Sequence, residues 1–190
     1  MSNFTDFFPA AGGGGGGIPK YQEFTSSGTF TPTQALIDAG GRLAYFIVGG
    51  GAQGANTNYG GAGGGVEYGY MTLTSINSCI TTLGAAGGSG AAGGSSSVIF
   101  SSAGGTDVTA LGAQIVFGYN TWMANTLGAS WSGDLNEKAS PGTGLFGYGA
   151  GGGRNKFGTP GVNAVRANSG QGSPYQIAAS AGFIRLTWFE

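Results

Sequence analysis

The chain has 190 residues, which is room for one domain and does not require a second core. Its 43 glycines, taken alone, would predict a disordered chain. Disordered chains, however, have few aromatic and many charged residues, whereas this chain has 12 Phe, 8 Tyr and 3 Trp and a charged fraction of only 8%. The net charge is −1 and the sequence has no run of basic residues. It therefore lacks the basic patch that binds nucleic acid or an acidic membrane, and we expect neither partner.

Residues 1–20 are predicted to form a docking arm with a polyglycine spacer. The aromatic patch Phe4, Phe7 and Phe8 stands ahead of the glycine run 12–17. Aromatic residues before a spacer suit docking into a groove of a partner, and an arm folded back on its own domain is the open alternative. Because the chain has neither a secretory signal pattern nor a run of about 18 apolar residues, we expect no membrane insertion.

Residues 21–190 are predicted to form a glycine-rich β domain. Residues 23–32 resemble a hairpin, with aromatic and Thr residues around a Ser-Gly turn. A helical turn over 33–39 should stop at Gly40-Gly41, and 43–48 (LAYFIV) is a continuous apolar strand suited to burial on both faces. Further strands are predicted at 66–74, 79–83, 98–100, 114–119 and 183–189.

Glycine-rich runs lie between these strands, around 49–54, 60–65, 84–94 and 147–153. Their irregular spacing is not the Gly-X-Y period of collagen, but such runs can adopt the same extended geometry with three residues per turn. The outward-pointing N–H and C=O groups then need partners, which neighbouring runs supply at close approach. The predicted fold class is therefore mostly β, with short strands, packed polyglycine-II-like segments and very little helix.

The residue inventory argues against an enzyme. The chain has no histidine, which removes the commonest general base and metal ligand, and its eight acidic residues are scattered. Cys79 is the single cysteine and is expected to be a buried small apolar residue. A carboxylate pair built in space from Asp134 or Glu137 and a distant acid stays open. We expect no catalytic residues, no cofactor and no metal.

A match to the dinucleotide fingerprint follows the LAYFIV strand, as Gly49-x-Gly51-x-x-Gly54. That motif needs a following helix and an acidic residue about 20 positions further on. More glycine follows here instead, and Glu67 comes too early. The sequence therefore does not favour nucleotide binding.

The segment 119–157 concentrates the side chains suited to recognition. Recognition usually rests on a few aromatic and Arg side chains held by a rigid scaffold. The predicted receptor-contact residues are Trp122, Trp131, Phe146, Tyr148, Arg154, Lys156 and Phe157. The alternative is that both tryptophans belong to the core and replace the bulk that glycine lacks.

A series of landmarks in the chain resembles a known family. In order they are FTSSGTFTP, LAYFIVGGGAQG, YGGAGGG, TLGAAGGSGAAGGSSSV, SSAGG, GYGAGGGR and GFIRLTWFE. Over residues 21–190 the chain is similar to the glycine-rich domains at the ends of bacteriophage tail fibres and related adhesins. The resemblance implies a virion protein assembled in a bacterial cytoplasm, usually trimeric, whose apical loops contact a host surface glycan or outer-membrane protein.

Two departures from the family keep an alternative open. The match begins almost at the start of the chain, without the long shaft of a fibre, and residues 114–138 are richer in ordinary side chains than the family's glycine core. A head-surface decoration protein, or capsid fibre, docked on other virion proteins by residues 1–20 is the alternative to a short tail-fibre component. An ice-binding or silk-like role is less favoured, because regular Thr or Ala spacing and tandem repeats are missing.

Overall fold

The computed structural model describes residues 17–54, 62–113, 168, 170, 172–173 and 178–190. In chain order the elements of this part are β1 (Pro19–Phe24), β2 (Gly28–Phe30), α1 (Gln34–Asp38), β3 (Arg42–Val48), β4 (Val66–Thr72), β5 (Cys79–Thr82), β6 (Ser96–Ile99), a 3-10 turn (Ser101–Ala103), β7 (Val108–Ala110) and β8 (Phe183–Phe189). The predicted mostly-β fold with very little helix is confirmed. The predicted strand 114–119 lies outside the described residues.

The strands form two antiparallel four-stranded sheets. The first sheet has the order β1-β8-β3-β4 and the second has the order β2-β5-β6-β7. Five predicted strands are confirmed to within two residues at each end, those of β3, β4, β5, β6 and β8. The short strand β7 was not predicted. β1 begins at Pro19, so the last two residues of the predicted arm belong to the first sheet.

The hairpin predicted over 23–32 is wrong, because its two halves lie in different sheets. β1 pairs with β8, whereas β2 pairs with β5. The turn between β1 and β2 bonds to the second sheet: the amide of Leu83 donates to Ser27 Oγ (2.9 Å) and the amide of Gly28 donates to Thr81 Oγ1 (3.1 Å). With the chain crossing between the sheets, both Phe24 and Phe30 are buried in the core that the sheets share.

The main core lies between the two sheets. Alternate residues of each strand point inward, so that Leu43 and Ile47 of β3 lie beside Trp188 and Ile184 of β8. Phe30 of the second sheet meets Trp188 edge to face, with ring centroids 5.3 Å apart. The sheets are therefore held together by interdigitated apolar side chains.

Cys79 is fully buried in this core, as predicted. Burial raises the pKa of the Cys79 thiol, a hydrogen bond with Ser102 offsets part of that rise, and the Asp107 carboxylate adds to it. The thiol is therefore protonated and unreactive at neutral pH.

The helix α1 forms where one helical turn was predicted. Thr33 caps it, because its Oγ1 accepts from the amide of Leu36 at 3.1 Å. It ends at Asp38 and is followed by Gly40 and Gly41, which have φ angles of 98° and 69°. A Cβ on Gly41 would overlap the carbonyl oxygen of Leu73, so this close approach also requires glycine.

The glycine run 49–54 packs in the polyglycine-II manner that the sequence predicts. Five of its backbone N–H groups donate to other glycine-rich runs, at 2.8 to 3.0 Å. Donors three residues apart reach the same side: 49 and 52 reach the run 62–65, while 51 and 54 reach the segments 172–173 and 178–182. The pairs are Gly49 to Gly65, Gly50 to Gly94, Gly51 to Ser180, Ala52 to Ala62 and Gly54 to Ser173.

Side chains are excluded from most of this glycine layer, which consists of the described residues of 49–54, 62–65, 84–95, 111–113, 170–173 and 178–182. Gln53 makes parallel bridges to Ser89 and Ser173, so neighbouring runs lie side by side in the same direction there. A Cβ at many of the glycines would overlap a backbone oxygen of a nearby residue. These positions are Gly49, Gly50, Gly64, Gly84, Gly87, Gly93, Gly112, Gly170 and Gly182.

Candidate functional site

The two groups of residues that the sequence singles out lie outside the described residues and stay predictions. They are the docking residues Phe4, Phe7 and Phe8 and the receptor-contact residues Trp122, Trp131, Phe146, Tyr148, Arg154, Lys156 and Phe157. The residues that flank both segments are described. Their positions determine where each segment joins the domain.

The glycine layer caps one end of the two-sheet sandwich, here called the glycine end. Six strands meet this layer at the same end: β3, β5 and β7 run into it, and β4, β6 and β8 leave it. The register confirms the alignment, since Val48 at the end of β3 lies opposite both Val66 and Phe183 at the starts of β4 and β8. A buried hydroxyl joins the two sheets there: Ser96 Oγ donates to the carbonyl oxygen of Val48 at 2.6 Å and accepts from the amide of Gly84 at 2.9 Å.

The predicted receptor segment is anchored on both sides in the glycine layer. On one side, the amide of Ala113 donates to the carbonyl oxygen of Gly50 at 2.8 Å. On the other, the amide of Gly170 donates to Ala181 and its carbonyl accepts from Gly64, each at 2.8 Å. The chain therefore leaves the described fold after Ala113 and returns near Gly170 at the glycine end.

The predicted arm joins at the opposite end, here called the arm end. Pro19 pairs with Phe189 at the far end of β8. Just before it, Ile18 exchanges two backbone hydrogen bonds with Glu190, of 2.6 and 3.2 Å. β8 has seven residues and connects the two ends, which at about 3.4 Å per residue places them roughly 20 Å apart.

The carboxylate of Glu190 stabilises the arm end. It accepts hydrogen bonds from Thr33 Oγ1 and from the indole Nε1 of Trp188, the latter at 2.9 Å. The hydrogen bond from Thr33, then that from Trp188, hold the pKa of the Glu190 carboxyl below its usual value of 4.5. Since Thr33 also caps α1, this carboxylate links β8 to the helix.

A further feature of the described part is a buried carboxylate beside a tyrosine. Glu67 of β4 is 7% exposed and lies opposite Ile47, so it is on the interior side of the first sheet. Burial, and to a lesser extent the Glu67 carboxylate, raise the pKa of the Tyr45 hydroxyl. Tyr45 pairs with Gly69, where a Cβ would lie 2.7 Å from the tyrosine hydroxyl, so the glycine leaves room for the ring.

The described residues contain no group of three or more His, Cys, Asp or Glu side chains placed to hold a metal ion. The helical elements of this part, of five and three residues, are too short to span a membrane. Many backbone N–H groups of the glycine layer donate to backbone carbonyl oxygens of neighbouring segments. The arrangement is thus suited to holding loops rigidly at one end.

Sequence reasoning missed the outer face of the first sheet. Tyr21, Tyr68 and Tyr70 are 63%, 49% and 44% exposed. Part of this face could have been predicted, because residues two apart in a strand point to the same side. The sequence VEYGYMT of β4 therefore places Tyr68 and Tyr70 on one face. No local signal places Tyr21 on the same face, because its neighbour strand β8 lies at the other end of the chain.

Comparisons with protein-family models, with curated proteins and with solved structures found no match to this chain.

Proposed function

We propose that the protein is a bacteriophage virion structural protein, a short tail-fibre or adhesin component that contacts the host surface. One observation carries the proposal. The predicted docking arm and the predicted receptor segment join the described domain at opposite ends, at Ile18 and at Ala113 and Gly170. An attachment protein needs this polarity, because one end is fixed to the particle while the other meets the host.

The glycine layer suits the recognition end of such a protein. Loops that bind a partner need a rigid base, and irregular loops alone do not supply one. Here the base is made of hydrogen-bonded backbone with almost no side chains, so several loops can leave it close together. The loop residues then supply the chemistry, through the predicted contacts with a host surface glycan or outer-membrane protein. The protein acts by binding, and no catalytic turnover is expected.

The proposal is tested by locating the protein on particles. Immunogold electron microscopy with an antibody to the purified protein should label the distal end of the tail on virions. The purified protein should also bind host cells and compete with virions for adsorption. Absence of the protein from purified virions would refute the proposal.

Head decoration is the second candidate function. The aromatic cluster Phe4, Phe7 and Phe8 also suits a groove on a capsid. Label over the capsid, with no competition for adsorption, would favour this role over the tail-fibre role.

A further inference from the structure

The chain leaves the described fold after Ala113 and is next described at Asn168. We call residues 114–167 the insert. It contains Trp122 and Trp131, two of the three tryptophans of the chain. The positions of its two points of attachment decide whether the surrounding fold depends on it.

The leaving side of the insert is fixed by the glycine layer. The amide of Ala113 donates to the carbonyl oxygen of Gly50 at 2.8 Å, and the amide of Gly65 donates to that of Leu111 at 2.9 Å. A Cβ on Gly49 would lie 2.1 Å from the Leu111 oxygen, so these backbones are in direct contact. None of these contacts involves the insert.

The returning side lies against the same two glycine runs. The amide of Gly64 donates to the carbonyl oxygen of Gly170 at 2.8 Å. A Cβ on Gly170 would lie 2.3 Å from the carbonyl oxygen of Gly49, so this point of attachment also touches the run 49–54. Gly170 has a φ of 63°, so both its conformation and its close approach require glycine.

The two points of attachment are therefore close together. Gly49 and Gly50 are adjacent, with Cα atoms about 3.8 Å apart, and the first contacts Gly170 while the second contacts Ala113. Ala113 and Gly170 thus lie within roughly 12 Å of each other. A linker of about four residues spans this gap, since it reaches about 13 Å when extended.

The described elements complete their own pairing without the insert. The eight described strands pair with one another in two sheets, and the main core lies between these sheets. The cost of closing a loop rises only slowly with its length. Folds therefore tolerate insertions where a segment leaves and returns at neighbouring surface points.

From these contacts we infer that the insert is an exchangeable unit. The rest of the chain folds without it, and replacing the insert changes which host surface the protein binds. The first part rests on the contacts of the glycine layer alone, whereas the second part also rests on the proposed function. The arm and the glycine layer then stay constant while recognition varies.

Replacing the insert with a four-residue Gly-Ser linker, a length of about 13 Å, tests the first part. Trp188 of the core is then the only tryptophan of the chain, so its fluorescence reports the packing between the sheets. We expect cooperative urea unfolding and a thermal midpoint within a few degrees of the parent, since a shorter loop costs less closure entropy. Loss of cooperative unfolding overturns the inference.

The matched control puts the same linker in place of residues 100–107, between β6 and β7. This change removes Phe100 and Ala103 from the core and should abolish cooperative unfolding. Similar behaviour of the two variants would show that the insert is no more dispensable than a core loop, which also overturns the inference.

A second measurement keeps every residue of the chain. A protease recognition sequence is inserted after Gly133, and the full-length protein is cleaved there. The two fragments should stay associated and unfold cooperatively, because β8 of one fragment pairs with both β1 and β3 of the other. Separation of the fragments without denaturant would contradict the inference.

Competition with virions for adsorption distinguishes this inference from the proposed function. A folded linker variant that no longer competes supports both. A folded linker variant that competes as well as the parent shows that the fold is independent of the insert, but it refutes the second part of the inference and the predicted receptor segment.

Discussion

At the scale of single residues, Ser96 is the point where both sheets and the glycine layer meet. Its side chain is fully buried and bonds to Val48 of the first sheet and to Gly84 of the layer. A Cβ on Gly182 would overlap both the Val48 oxygen and the Ser96 hydroxyl, so the packing here leaves no space for adjustment. Loss of this hydroxyl leaves two buried backbone groups without their partner.

Ser96→Ala should therefore lower the free energy of unfolding by about 1–3 kcal/mol, the cost of leaving buried polar groups unsatisfied. Ser97→Ala is the matched control, since Ser97 is only half-buried and should change stability by less than about 0.5 kcal/mol. Urea unfolding of both variants measures the difference. Equal effects would mean that the Ser96 bridge does not contribute to stability.

Glu190 makes the arm end sensitive to acid. Its pKa in the folded protein is lower than its usual value of 4.5, so its contribution to stability is present above that pH and is lost as the pH falls through the folded pKa. Glu190→Gln cannot ionise and should lack this part of the pH dependence. Thermal midpoints of both proteins, compared at neutral pH and below 4.5, should therefore converge on acidification. A constant difference at all pH values would contradict the assignment.

At the scale of elements, the glycine layer depends on the sandwich beneath it. Ordering one residue's backbone costs about 1–2 kcal/mol, while a hydrogen bond contributes about 0.5–1.5 kcal/mol net. Backbone hydrogen bonds alone therefore do not offset the ordering of glycine-rich runs. The strands that enter and leave the layer fix the ends of its runs, and the close approach of the runs supplies the remaining contacts.

Gly50→Ala tests the close packing of this layer. Its N–H and C=O both bond to other runs, and a Cβ would overlap the carbonyl oxygen of Ala85. We expect a loss of about 1–3 kcal/mol or more in the free energy of unfolding. Gly88→Ala is the control, because no atom lies within 4 Å of a Cβ at that position. It should be neutral or stabilising by up to about 1 kcal/mol, and similar losses in the two variants would argue against side-chain exclusion.

At the scale of the whole molecule, we predict that the two ends have separable roles, and a truncation tests this prediction. Removing residues 1–16 leaves the Ile18–Glu190 hydrogen bonds and the β1–β8 pairing in place. The truncated protein should therefore fold with an unchanged thermal midpoint but should not be incorporated into virions. Quantitative mass spectrometry of particles measures the incorporation. Incorporation at the level of the full chain would show that the arm is not the anchor.

The low charge of the molecule predicts self-association. Only 8% of the residues are charged, against about 25% in ordinary soluble domains. Burial of surface between copies is the simplest compensation, and we expect a homotrimer of the 18.7 kDa chain. Sedimentation equilibrium at low micromolar concentration measures the mass, and a stable monomer would refute this prediction.

Features that depend on local pattern could be predicted from the amino-acid sequence alone. The apolar strand at 43–48, the helical turn that stops at Gly40-Gly41 and the polyglycine-II-like packing were predictable from the apolar run, the position of the glycines and the missing side chains, because each is encoded within a few neighbouring residues. The alternation in VEYGYMT also predicts that Tyr68 and Tyr70 share a face, so this part of the outer face of the first sheet was predictable. The short β7 was missed, since three residues carry too little periodicity to indicate a strand.

The pairing of the strands, and hence which residues share a surface, could not be predicted and was found in the three-dimensional fold. Phe24 pairs with Ile184, a separation of 160 residues from 24 to 184, and this pairing replaced the predicted local hairpin. The same long-range pairing brings Tyr21 onto the face of Tyr70, and it places Ile18 at the end opposite Ala113 and Gly170. The local sequence encodes which residues of a strand point to each face. The partner strand, however, is selected by the burial of side chains from distant parts of the chain, and a short window of residues does not contain that information.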